Sequence, residues 1–446
     1  MTKRIKLTKG LNINLVGAAE TEKRHVDQGK FYALRPSSFI GVTPSLTVKI
    51  GDKVKAGSAL FANKHYPDVT FSSPVSGVVK DIVRGDRRKV LAVVVEADDA
   101  QEYVDFGKKD VTAMTGGDVI KSLLEAGLFG YINQLPYAIS TNPEAKPKSI
   151  FVSAFRDMPL AADFDYELKG QEEYFQAGMT ALSKIAKTYL GISAKQKSDA
   201  LLTIQNVETT IFDGPCPAGN VGVHVNHLDP VNKGEVVWTV EPTAVLFFGR
   251  LFLKGIVDLH RTVAVAGSEI SAPAYSDVLV GTPLSLLLEG NISNGRNRII
   301  EGNPLTGTPV TMDAYLGAHT SEVTVIPEGD DNDEFLGWIM PRFNQLSVSR
   351  SYFSWLMGKK AYKLDARVKG GERHMIMSGE YDKVLPMDIL PEYLIKAIIT
   401  GDIDKMEQLG IYEVSPEDFA LAEFVCSSKL ELQKIVREGI DLMLKA

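Results

Sequence analysis

Apolar residues between Leu46 and Glu96 come in short runs cut by glycine: Leu46 to Ile50, the turn at Gly51-Asp52, Gly57, then Ser73 to Val79, then Val90 to Val95. Punctuation this even predicts short strands closing into a small β barrel or sandwich. The period then changes. Val119, Ile120, Leu123 and Leu124 recur at helical spacing across Asp118 to Gly127, and the closing glycine suits a helix C-cap. Pro136, Pro143 and Pro147 mark a loop, and Ser149 to Phe155 is an apolar run of strand length. Gln171 to Leu190 is predicted as one helix, with Phe175, Leu182, Ile185, Ala186 and Tyr189 on one face and Gly191 closing it. Ala200 to Ile204 reads as another buried strand, and this alternation predicts a parallel α/β core over roughly residues 105 to 255.

Beyond it the segments shorten again. Thr262 to Ala266, Val278 to Val280, Ser285 to Leu288, Arg298 to Ile300 and Glu322 to Ile326 are predicted strands of a β-rich module. The acidic run Pro327 to Glu334 reads as a solvated linker. Helices follow, at Pro391 to Thr400 and after Ser415-Pro416-Glu417-Asp418, where Ser415 can cap and Pro416 takes the first helical position. The fold class is therefore multidomain α/β, in four units: 1–104, 105–257, 258–330 and 331–446. The first, with Gly51 to Gly57 and Ser73 to Val79, resembles the barrel-sandwich hybrid of biotinyl and lipoyl carriers. Lys64, the candidate for a carried group, lacks the flanking pattern of those carriers and reads as a solvated loop lysine. The other units are expected to be a Rossmann-like α/β domain, a β-grasp-like module and a C-terminal helical domain.

Composition narrows function. Of the 446 residues 44% are hydrophobic and 24% charged, as in ordinary folded proteins. A net charge of −7 argues against nucleic-acid binding, which needs clustered Lys and Arg. No apolar run reaches the ~20 residues needed to span a bilayer, and Ala244 to Val257 is interrupted by Arg250 and Lys254. No signal-peptide pattern follows the basic start, so membrane association is expected to go through partners.

Cys216 and Cys426 stand far apart, without a CxxC. Cys216 with His224, His227 and Asp229 invites a zinc proposal, but the spacing brings no convergent ligand set, and the readings kept are polar contacts in a glycine-rich loop or a ligand-facing role. No metal is expected. Glycine cradles for dinucleotides or triphosphates, and nucleophile elbows, are missing. Asp157, Asp163 and Asp165 read as loop caps or lone acids and bases. The segment Phe129 to Tyr137 combines aromatics with Asn133 and Gln134, a composition that suits an apolar pocket with a few hydrogen-bond donors.

Longer strings go further. Lys9-Gly10-Leu11, Gly51 to Gly57 with Leu60-Phe61 and Lys64, Ser73 to Gly77, Arg84-Gly85 and Arg88 in the N-terminal part resemble the NqrA family of the sodium-pumping NADH:quinone reductases. Pro341-Arg342-Phe343-Asn344, Gly379 to Pro391, Gly401-Asp402, Glu417 to Leu421 and Phe424-Val425-Cys426 continue the resemblance to the other end. That family is related to the RnfC component of electron-transport complexes and to the NADH-binding flavoprotein of respiratory complex I. Those relatives hold FMN on a glycine-rich loop and iron–sulfur clusters on cysteine motifs. Here Leu128 to Gln134 lacks the glycines, and the single Cys426 cannot supply the four ligands of a cluster. The resemblance implies a chain without a bound cofactor or catalytic residue of its own, with FMN, FAD, riboflavin and Fe–S centres in partner subunits. It also implies a place on the cytoplasmic face of the bacterial inner membrane, contact chiefly with the membrane-embedded NqrB, and a role in electron transfer to ubiquinone coupled to Na+ export, by quinone binding or scaffolding. The alternative is a soluble ligand-binding or assembly module. Quinone is expected to meet Tyr131, Asn133, Tyr137, His224 and His227 where the relatives hold FMN, unless the tyrosines fill that space.

Overall fold

The computed structural model describes residues 2–330 and 339–445. Its strands begin with β1 (Lys3–Lys6) and β2 (Glu20–Lys23), both charged and exposed. The predicted barrel-sandwich follows: β3 (Phe31–Leu34), β4 (Pro44–Leu46), β5 (Lys53–Val54), β6 (Ala59–Asn63), β7 (Thr70–Ser72), β8 (Gly77–Arg84) and β9 (Val90–Ala97). A four-stranded sheet, β3-β9-β8-β5, packs against a three-stranded one, β4-β6-β7. Leu60, Phe71, Val79, Val93 and Val95 point into the shared core and are fully buried. Gly77 is obligatory because a Cβ there would meet the Glu96 carbonyl at 1.9 Å, at φ +156°.

The second unit starts at α1 (Gly116–Glu125), where Thr115 and Asp118 form a reciprocal capping box. Then come β10 (Ile132–Leu135), β11 (Ile139–Ser140), β12 (Ile150–Ser153), α2 (Phe164–Leu168), α3 (Glu172–Ile185), β13 (Thr188–Ser193), β14 (Glu208–Asp213), α4 (Val221–Leu228), β15 (Val237–Val240) and α5 (Pro242–Lys254). The seven-stranded order is β1-β14-β13-β12-β15-β10-β11, with β1, β14, β13, β12 and β15 parallel. Gly178 and Gly249 let α3 and α5 touch backbone to backbone, since a Cβ at Gly249 would lie 1.8 Å from the Tyr174 carbonyl. Two expectations fail here. The helix predicted to Leu190 stops at Ile185, Ala186 is extended, and Tyr189, Leu190 and Gly191 belong to β13. The run Ala200 to Ile204 is no strand; Asp199–Leu202 make a single 3-10 turn capped by Ser198, and the next strand is β14.

The third unit is a mixed sheet, β19-β18-β20-β16-β17-β2, formed by β16 (His260–Ala266), β17 (Ala274–Leu279), β18 (Asn297–Glu301), β19 (Thr308–Val310) and β20 (Glu322–Pro327) with the N-terminal β2. Its core of Val263, Val265, Val323 and Val325 is covered by α6 (Leu284–Leu288), so the strand predicted over Ser285 to Leu288 is a short helix that buries Leu284, Leu287 and Leu288. In the acidic run, Glu328 pairs with Arg298, and Asp330 with Arg296 at 2.8 Å; the remainder lies outside the described residues. The C-terminal unit contains α7 (Glu380–Val384), α8 (Pro391–Thr400), α9 (Ile403–Gln408), α10 (Ala420–Val425) and α11 (Leu432–Met443) around Leu394, Phe419, Leu432 and Val436. Pro391 opens α8, left-handed Gly401 ends it, and Ser415 with Asp418 makes the expected capping box.

Candidate functional site

In the second unit the chain runs from β12 outward to β13, but β15 arrives on the other side of β12. The order therefore reverses between β12 and β15, and open α/β sheets leave a crevice beyond the carboxyl ends of their strands at such a point. A cavity of about 670 Å³ lies there. Ser153 to Met158 enter it from the end of β12, Thr239 to Pro242 from the end of β15, and Gly219 to Val221 from the start of α4. Arg35 to Ser38, the Glu301 to Glu322 region and Ser415 to Glu417 complete the wall from the other three units.

Charge organises this wall. Arg156 reaches the buried Glu167 at 3.3 Å and donates to Thr243 Oγ1 at 3.0 Å, while Thr243 donates to Glu167 at 2.7 Å. Burial weakens the Arg156 guanidinium, but the carboxylates of Glu167, Glu322 and Glu241 more than offset it. His319 Nδ1 lies 3.2 Å from Glu241. Burial opposes charge on Glu241, yet His319, Arg261 and Arg156 hold its carboxyl below the ordinary range. Glu322 goes the other way: burial raises it against the pull of Arg156. Asp157 is pushed up to about 6 by burial, although Gly219 donates its backbone N–H to Oδ2 at 3.0 Å; Oδ1 has no partner. Glu417 is ringed by protein and by the carboxyls of Asp418, Glu241, Asp157 and Glu322, which push it up to about 8. Its side chain is open to solvent in the cavity, and that water screens part of the effect. Arg35 donates to Glu301 at 2.6 Å, and Thr320 Oγ1 donates to the same carboxylate at 2.6 Å. That network ties the first unit to the third.

Profiles of three known domains match the chain: the NqrA N-terminal barrel-sandwich hybrid domain over residues 5–98, the NqrA second alpha/beta domain over 114–257, and the NQRA C-terminal domain over 262–312. The A subunit of the Na(+)-translocating NADH-quinone reductase of Neisseria meningitidis serogroup A is 33% identical over 446 residues, with 99% of each chain covered. The proteins of the same name from Pasteurella multocida and Yersinia pestis bv. Antiqua are 35% and 34% identical over 98% and 97% of this chain, and 98% of theirs. The chain belongs to the NqrA family of Na(+)-translocating NADH-quinone reductases. Among solved structures, an NAD+-reducing [NiFe]-hydrogenase in the air-oxidized state aligns with 78% of this NqrA-family chain and 67% of its own, at 12% identity and a TM-score of 0.38, a likeness too slight to carry functional information.

Of the five residues expected to meet quinone in this member of the NqrA family, Asn133 on β10 lines the cavity. The other four are placed elsewhere. Tyr131 is buried at 2% exposure between Phe39, Phe247 and His319, with ring centroids 5.2, 5.5 and 5.4 Å away; its hydroxyl has no partner and burial pushes it up. Tyr137 turns to the C-terminal unit, its ring 6.3 Å from Tyr412 and its carbonyl accepting from Arg437 at 2.8 Å. His224 stacks on Phe212 at 3.8 Å and donates from Nε2 to the Ala218 carbonyl at 2.8 Å. His227 donates from Nδ1 to the Val223 carbonyl at 2.9 Å, one turn back on α4. The expected convergence of tyrosines and histidines on one cleft is therefore corrected: packing, not the cavity, takes those side chains. Cys216 is buried with its sulfur 3.6 Å from that of Met158, and no group of three or more metal-ligating side chains occurs among the described residues. Asp163 caps α2, as a loop carboxylate should.

Sequence reasoning missed Arg156, Glu241, Glu301, His319 and Glu417, which come from segments far apart in the chain. One signal was present: Glu241-Pro242 follows an apolar strand and places a helix-starting proline after it, which marks a strand's carboxyl end.

Proposed function

We propose that this chain serves as the A subunit of a Na(+)-translocating NADH-quinone reductase, without a redox cofactor of its own, and supports electron transfer to quinone coupled to Na+ export. The observation that carries the reading is identity of 33–35% to NqrA proteins along nearly the whole chain. Among the described residues no helix is long and apolar enough to cross a membrane, which fits attachment at the cytoplasmic face through partners, the membrane-embedded NqrB first among them. The turn after α1, where flavin-binding relatives would cradle a phosphate, is filled: Phe129 is fully buried, and a Cβ at Gly130 would meet the Phe71 ring at 2.2 Å. This supports a chain that holds no flavin. A purified chain carrying one FMN would refute that part.

The cavity at the β12–β15 crevice is the place proposed for a quinone head group, with Asn133 as a donor to a carbonyl, Arg156 supplying positive charge and His319 lining the wall beside it. In the assembled complex, Asn133→Leu and Arg156→Met are expected to lower quinone reductase turnover roughly tenfold, the loss of about one hydrogen bond. NADH oxidation by an artificial acceptor should stay unchanged. Equal quinone turnover in variants and wild type would leave the chain a scaffold, a reading favoured by the Arg35–Glu301 tie between the first and third units.

A further inference from the structure

Large apolar side chains on the surface concentrate in one stretch of the chain, between Ile339 and Met377. Leu356 is 61% exposed, Phe353 54% and Trp355 49%, and Ile339, Met340 and Phe343 are exposed beside them in sequence. The same stretch carries eight lysines and arginines against Asp365 and Glu372, a net of +6 in a chain whose whole charge is −7. Soluble monomers rarely expose so much apolar surface without a partner for it.

The stretch is held in place. Phe353 donates its backbone N–H to the Pro341 carbonyl at 3.1 Å, Lys360 donates to Asn344 Oδ1 at 2.6 Å, and buried Tyr362 donates its hydroxyl to the Ser354 carbonyl at 3.1 Å. Tyr362 is fixed in turn to Asn14 and Val16 by backbone bonds of 2.9 and 3.0 Å. The Phe343 and Phe353 rings lie 5.9 Å apart, and the Arg350 guanidinium stands 5.9 Å over the Trp355 ring. Aromatics, methionine and arginine held outward in this way are the composition of a protein–protein contact.

We propose that this apolar, basic surface around Phe353 to Met357 is where the chain docks on a protein partner within the reductase complex, one that offers an apolar groove with an acidic rim. The inference rests on the family-based reading above. Backbone geometry favours protein over lipid. Between Pro341 and Gly379 the described residues form one short 3-10 turn, Phe353–Met357, and no α-helix or strand beyond a single bridge at Tyr362. Pushing such irregular backbone into hydrocarbon would strand its N–H and C=O groups, whereas a protein groove can pair them. The charge argues for the acidic rim: Arg350 and Lys359 are exposed beside the apolar residues, and like charge on a partner would repel them.

The test uses the whole complex, purified in mild detergent through a tag on another of its chains. One variant combines Phe353→Ser, Trp355→Ser and Leu356→Ser; a second combines Arg350→Glu and Lys359→Glu. Retention of the chain should fall at least about tenfold in the first variant, as expected when a cluster of buried anchors is lost. The second should fall as well, and more steeply as salt is lowered, because like charges then face each other unscreened. Both purified variants should melt with the wild type, since every altered side chain is exposed; if the first melts early, the second decides. Variants retained as well as wild type would overturn the surface while leaving the family-based reading standing. Absence of the wild-type chain from the complex would overturn both. Sedimentation of the purified wild-type chain with phosphatidylglycerol–phosphatidylethanolamine vesicles, lost in the variants, would overturn the protein partner in favour of lipid.

Discussion

His224 should make the second unit acid-sensitive. Its ring is 1% exposed, stacked on Phe212, with Nε2 spent on the Ala218 carbonyl and Nδ1 against Gly191, where a protonated nitrogen would find no acceptor. Burial, with a smaller contribution from His227 and against the Ala218 hydrogen bond, pushes the ring down to about 3. In the unfolded chain it takes a proton at about 6.5. The stability that the neutral ring contributes is therefore complete above the unfolded value and drains as pH falls from there toward 3. At about 1.4 kcal/mol per pH unit, the loss between pH 7 and pH 5 comes to about 2 kcal/mol. Buried carboxyls such as Asp157, pushed up to about 6, act in the opposite direction over the same range, so the wild-type profile alone does not isolate the histidine. A His224→Gln variant does, because the amide can still donate to Ala218 and does not titrate. Urea unfolding at the two pH values, followed by fluorescence that includes fully buried Trp238 of the same sheet, should show wild type losing about 2 kcal/mol more than the variant. Equal losses would refute the placement of a neutral, sealed imidazole.

Replacing Arg35 with Met leaves Glu301 enclosed with only neutral donors and should cost about 2–3 kcal/mol, read as a lowered thermal midpoint. Gly249→Val forces a Cβ into the Tyr174 carbonyl and should separate α3 from α5 at a cost of about 3 kcal/mol or more in denaturant unfolding. Gly117→Ala, on α1 where an added Cβ would meet only Thr115 Oγ1 at 3.9 Å, should instead stabilise by about 0.5–1 kcal/mol in the same assay.

Where side chains alternate against a core, the architecture is legible in the sequence. The barrel-sandwich, α1, β12, α8 and the Ser415–Asp418 cap all follow from local pattern and capping chemistry. The spacing over Gln171 to Leu190 predicts too long a helix because Tyr189 and Leu190 continue the apolar period of α3 although they belong to a strand. Short apolar runs do not distinguish a buried strand from a helical turn, and both Asp199–Leu202 and α6 fall to that ambiguity. β1 and β2 give no apolar signal, since these edge strands, made chiefly of Lys, Arg, Glu and Thr, are held by backbone pairing and by exposed ion pairs, Arg4 with Asp213 at 2.7 Å and Lys23 with Asp277 at 2.5 Å. The site is the least legible part. Its Arg, Glu and His residues converge from all four units, and no spacing along the chain encodes that meeting; the tyrosines and histidines that do stand out do so because they pack.

The placement of β1 sets an order on how the molecule is made. Lys3 to Lys6 have their partners at Thr210 to Asp213, so a nascent chain carries its first strand unpaired until roughly 200 further residues have left the ribosome. At about 5–20 residues per second that is a wait of roughly 10–40 s. Until β1 docks, the second unit lacks its outermost strand, and β14, once formed, presents a bare edge. The lysines and arginine of β1 keep the waiting strand soluble, and the final addition of a preformed N-terminal tail seals a sheet that a severed second unit, expressed by itself, would leave open to pairing with its own copies.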